Sequence, residues 1–75
     1  MGGEMTTGER LRHWRRHQHR TLQSVADEIG VTKATVARYE RGVRRIASDH
    51  VEAIARALGI SMAELYGELP GLDPR

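Results

Sequence analysis

The sequence contains no cysteine. That excludes disulfides and any metal site built on thiolates. Long apolar runs are missing too. No stretch approaches the roughly 18–20 residues of a membrane-spanning helix, and no charged-then-apolar signal segment opens the chain. A soluble, cytoplasmic protein with no membrane partner is expected. No internal repeat is evident. No nucleophile stands at a useful spacing from a base, and no paired carboxylates suggest acid–base work, so catalysis is not expected. His13, His17 and His19 raise a metal reading, since His13 and His17 lie one helical turn apart. Against it, the nearest acid in sequence is Glu9, and Arg10, Arg12, Arg15, Arg16 and Arg20 crowd the same region and would repel a cation. No metal and no cofactor are expected.

What is present is a chain of 75 residues. That length suits one domain burying about 60% of its unfolded surface, hence a modest core. The net charge of +2 hides an uneven distribution. Arg10 to Arg45 holds ten Lys/Arg against three acids, Asp27, Glu28 and Glu40. Ile46 to Arg75 holds two Arg against five acids. Such asymmetry points to one face for a polyanion and another kept away from it.

Along the chain, residues 1–6 are expected to form a flexible arm, residues 7–69 the folded domain and residues 70–75 a flexible tail. Thr6 or Thr7 can cap a first helix, with Glu9 placed near its positive end. That helix, roughly Gly8 to Gln18, puts Leu11, Trp14 and Gln18 on one face and Arg12, His13, Arg16 and His17 on the other. Trp14 shares the stripe of Leu11 and is expected in the core rather than as a base-stacking platform. Pro70, Gly71 and Pro74 stop regular structure near the end.

Leu22 to Arg41 is read as two short helices joined by a tight turn. Val25, Ala26 and Ile29 fall on one side of the first, Val36 and Tyr39 on one side of the second. Gly30 supplies a left-handed residue at the turn, and Thr32 a hydroxyl to cap the next helix. Arg15 lies one turn after Leu11, where a lone guanidinium would be costly to desolvate. Glu40 has the same problem one turn after Val36, and the simplest solution is that the two pair. Beyond the basic loop Gly42–Ile46, Ser48 is expected to cap a fourth helix. Val51, Ile54, Ala55 and Leu58 would form its buried stripe, and Gly59 would end it. Ile60 staples a fifth helix, opened by the Ser61–Glu64 capping box.

The residues Val25, Ala26, Ile29, Gly30, Val31, Val36 and Tyr39, followed by Glu40 and Gly42, resemble the helix-turn-helix of phage repressors of the lambda repressor and Cro type. The resemblance covers roughly Glu9 to Tyr66. It implies an all-α fold, a compact five-helix domain with the helix-turn-helix at helices two and three, and an Arg15–Glu40 ion pair. It also implies sequence-specific binding of double-stranded DNA by a small transcriptional regulator, with helix three (about 33–41) in the major groove.

On that helix, Ala34, Ala37, Arg38 and Arg41 lie opposite Val36 and Tyr39, with Lys33 and Thr35 on the flanks. Lys33 and Arg38 suit guanine O6 and N7 or a nearby phosphate, while Ala34 and Ala37 permit close approach to thymine methyl groups. These four are the expected base readers. Thr21, Gln23, Thr32, Thr35, Arg41, Arg44 and Arg45 occupy regions that hold phosphates in the family, as helix starts and basic loops physically favour. Two departures stand out. Leu22 replaces a Gln common in relatives, and Arg20 replaces a commonly apolar residue. Relatives bind as dimers, and the C-terminal part, Leu65, Tyr66, Leu69 and Leu72, is the candidate interface. Leu65 and Tyr66 equally well complete a core. The alternative function is an antitoxin or adaptor whose main partner is a protein, a toxin or a coregulator.

Overall fold

Thr6, rather than Thr7, opens the first helix, α1 (Thr7–His17). Its hydroxyl accepts from the Glu9 amide at 3.1 Å, while the Glu9 carboxylate accepts from the Thr6 amide at 2.9 Å. Two of the unpaired amides at the helix start are satisfied reciprocally. The computed structural model describes residues 6–66, and those residues form helices without any strand. After α1 come α2 (Leu22–Ile29), α3 (Lys33–Arg41), α4 (Ser48–Leu58) and α5 (Met62–Tyr66). The expected all-α, five-helix class is therefore found. The ends proposed for the arm, domain and tail fall largely outside the described residues.

The turn chemistry follows the sequence at most joints. Thr21 caps α2 by accepting from the Ser24 amide at 3.0 Å, and Thr32 caps α3 by accepting from the Thr35 amide at 3.1 Å. Gly30 ends α2 with φ of 78°, a left-handed conformation that costs a side chain-bearing residue roughly 1–2 kcal/mol. Ser61 and Glu64 form the second reciprocal cap, at 2.7 and 3.0 Å. One joint differs. Ala47, not Ser48, is the capping residue of α4, and no side chain caps that end. Ser48 sits one place too late, as the first residue of the helix itself, so its hydroxyl makes no capping bond.

The core is built where the periodicity placed it. Leu11 of α1, Val25 and Ala26 of α2, Val36 and Tyr39 of α3, and Val51, Ile54, Ala55 and Leu58 of α4 are buried, together with Leu65 of α5. Trp14, Leu22, Ile29, Val31, Ile46 and Ile60 pack around them, partly buried. Trp14 thus belongs to the core's edge rather than to a free platform. Leu65 is fully buried, which removes it from any dimer surface. Of the residues proposed for that surface, Tyr66 is exposed, while Leu69 and Leu72 lie outside the described residues.

Three polar devices lock the helices together. Arg15 and Glu40 meet as expected: Nε donates to Glu40 Oε2 at 2.6 Å and Nη2 donates to Oε1 at 3.1 Å. A third donor, Arg15 Nη1, reaches the Arg20 carbonyl at 2.8 Å. Both side chains are well buried, with 13% and 6% of their surface exposed. The pair thus ties α1 to α3 and to the α1–α2 corner. Arg20 is the second device. It donates to Ser24 Oγ (2.9 Å), the Ala57 carbonyl (3.0 Å) and Glu28 Oε1 (2.6 Å), clamping α2 to the end of α4. Gln18 is the third, donating to the Leu58 carbonyl at 2.7 Å.

Candidate nucleic-acid interface

Helix α3 has two opposed faces, and the inner one fixes the outer. Val36 is fully buried and Tyr39 nearly so. The Tyr39 hydroxyl lies 2.8 Å from His50 Nδ1 on α4, which satisfies a polar group that would otherwise cost roughly 1–3 kcal/mol to bury. Glu40 is held by Arg15. With these three anchored, rotation about the axis of α3 is not available.

The outer face then follows from helical geometry. Lys33, Ala34, Arg38 and Arg41 are exposed, and Ala37 and Thr35 are half-buried beside them. Ala34, Arg38 and Arg41 form the outermost stripe, with Lys33 on one flank and Thr35 on the other. The two alanines leave the helix backbone low between cationic side chains, a surface shaped to approach a groove floor.

Around this stripe the expected phosphate contacts are distributed unevenly. Arg44 and Arg45 are exposed in the loop after α3, next to the uncapped start of α4. That helix end leaves backbone amides without a side-chain partner, and amides and guanidinium groups together suit an anion. Thr21 and Thr32 are exposed at the starts of α2 and α3, but each hydroxyl is already engaged as a cap. Thr35 Oγ1 lies 2.9 Å from Thr32 Oγ1, so this pair is partly satisfied internally. Gln23 donates to Asp27 Oδ1 at 2.8 Å, which leaves its amide oxygen free and its nitrogen partly used. Leu22 packs, partly buried, against the core and offers the interface no hydrogen-bonding side chain.

Three residues without an assigned role in the sequence prove important. Gly8 is buried, and a Cβ built there would stand 2.1 Å from the Tyr39 carbonyl oxygen. The α1 backbone therefore rests directly on the end of α3. His50 completes Tyr39, and Arg20 braces α2. An aromatic hydroxyl predicted as buried signals that some partner exists. The other two carried no comparable local signal.

The helix-turn-helix family model matches residues 11–65. The transcriptional repressor RstR of the cryptic phage CTXphi in Vibrio cholerae serotype O1 is 36% identical over 63 residues, covering 84% of this chain and 56% of RstR. The restriction-modification controller protein C.AhdI from Aeromonas hydrophila is 30% identical with a TM-score of 0.77, covering 80% of this chain and 91% of C.AhdI. The P22 c2 repressor, solved in complex with a synthetic operator, shares the fold at a TM-score of 0.79 and 22% identity, covering 85% of this chain and 97% of the repressor. This chain spans about half the length of the bacterial regulators it matches, 47% of one and 63% of another. With caps, turn glycine, buried stripes and ion pair in place, the chain belongs to the phage-repressor-like helix-turn-helix family of DNA-binding transcriptional regulators.

Proposed function

We propose that this domain recognises a specific double-stranded DNA sequence with α3 in the major groove, as a homodimer on a palindromic operator, and acts as a repressor. Lys33, Ala34, Ala37 and Arg38 read base edges in this reading, and Arg41, Arg44 and Arg45 hold phosphates. Thr21, Gln23, Thr32 and Thr35 supply weaker positioning contacts, since their polar groups are already partly engaged. The observation that carries the reading is the division of α3. Its inner side is locked by Val36, Tyr39 and the Glu40–Arg15 pair, while its outer side carries exposed cations over small residues.

Two domains on half-sites about one helical turn apart add contacts that a single small domain lacks. The exposed Tyr66, with Leu69 beyond it, is the surface proposed for that dimer. The setting is the cytoplasm of a bacterium, with the gene chromosomal or phage-borne. A protein partner, a toxin or a coregulator, is the second reading, favoured by the exposure of Met62 and Tyr66 on α5.

Selection from a random duplex pool, followed by anisotropy titration across salt concentrations, tests the proposal. A palindromic winner with a steep salt slope is expected. Failure to enrich any sequence, with only weak salt-sensitive binding, would transfer the function to a protein partner.

A further inference from the structure

Helix α1 carries a second basic surface that the reading helix does not use. A groove runs between its outer face and the end of α3, lined by Arg12, His13, Arg16 and His17 from α1, by Arg41 from α3 and by Gly42, which caps α3. Arg12, Arg16 and Arg41 are exposed, and among the described residues none of their side chains makes a hydrogen bond or ion pair. The groove's acids are both occupied: Glu9 accepts from the Thr6 amide, and Glu40 is held by Arg15. Glu40 is neutralised by Arg15, whereas Glu9 keeps its charge, so three guanidinium groups against one carboxylate leave the groove net positive.

The imidazoles are arranged as well as present. His13 and His17 stack with their ring centroids 6.0 Å apart and their planes 12° from parallel. Trp14 meets both edge-on, at 5.5 and 6.1 Å. Each ring adds an N–H donor to the guanidinium groups of the groove.

We propose that this groove is a second phosphate-binding surface, which holds the DNA backbone outside the stretch read by α3. The inference rests on the DNA-binding reading above. Continuity favours DNA, since Arg41 belongs both to the outer stripe of α3 and to the groove, so a backbone following Arg44 and Arg41 passes onto α1. Composition argues against a protein occupant. The groove has no aliphatic side chain to serve as the apolar anchor that protein interfaces concentrate their energy on.

The test uses the full chain and the selected operator in two lengths, minimal and extended by one helical turn at each end. Wild type should bind the extended duplex about tenfold more tightly at moderate salt. R12Q/R16Q should bind both lengths equally and keep its base preferences, with the salt slope smaller by about 0.9 for each phosphate it no longer neutralises. H13Q/H17Q should keep the advantage, since glutamine also supplies N–H donors and the guanidinium groups of the groove remain. All four substituted positions are exposed, and thermal unfolding of each variant checks that it folds. A length advantage that survives R12Q/R16Q, or is missing in wild type, overturns the proposal while leaving operator binding intact. A wild-type chain that binds no duplex overturns both readings.

Discussion

Gly8 has no side chain because none fits: the nearest atom to a new Cβ is backbone oxygen, which cannot rotate away as a side-chain tip would. Gly8→Ala should therefore cost about 1–3 kcal/mol, as overpacking does. Thermal unfolding should register it at roughly 4–8 °C per kcal/mol in a domain of this size. Gain from the better helix propensity of alanine would appear instead if α1 could shift freely. At Glu40 the expected loss has a different origin. Glu40→Ala leaves the Arg15 guanidinium buried with only the Arg20 carbonyl, and breaking such a pair costs about 3–5 kcal/mol. Arg15→Met combined with Glu40→Leu should recover much of that in chemical denaturation, because no charge is then stranded. A double variant as unstable as Glu40→Ala would show that the pair supplies more than mutual neutralisation. Both members were legible in sequence because each sits on an apolar stripe where only pairing makes sense. Arg20 was not. Its clearest partner is a carbonyl at Ala57, far along the chain, and backbone acceptors leave no mark in the sequence.

Among the helices, α4 begins least well, since Ala47 offers no capping oxygen. Ala47→Ser should raise stability by about 1 kcal/mol, measured as a higher unfolding midpoint with an unchanged denaturant slope. The misplacement of that cap by one residue shows how sequence reasoning fails at boundaries. Ser48 followed by Asp49 has the composition of a helix start, but the helix begins one residue earlier, and Ile46 enters the core just before it. By contrast, α2, its turn and α3 were readable almost residue by residue. Their caps, the Gly30 turn and their apolar stripes are all local signals that point the same way. Helix α3 supports a prediction about function. Arg38→Ala should relax preference at one base pair in each half-site, whereas Arg44→Ala should weaken all sequences alike and reduce the salt slope by about 0.9 per phosphate. Matched and scrambled duplexes, titrated by anisotropy, separate the two. Identical behaviour of both variants would remove the division into readers and positioners.

For the molecule as a whole, the proposed dimer rests on the C-terminal face. Leu65 is committed to the core, so grouping it with Tyr66 and Leu69 on sequence grounds joined a structural residue to a surface one. Periodicity alone could not separate them, because α5 is barely more than one turn. Tyr66→Asp should leave the fold intact and shift sedimentation from dimer to monomer; a dimer that persists would place its interface elsewhere. The partition of α3 carries one last consequence. Lys33, Ala34 and Arg38 are exposed, and among the described residues none donates or accepts a side-chain hydrogen bond that holds the fold. In the proposed reading, stability and sequence preference are therefore written in separate sets of side chains. A library randomised at those three positions should fold nearly as well as the parent, member by member. Such a domain can drift from one operator to another without crossing an unfolded ancestor, so a lineage can diversify its targets while its architecture stands still.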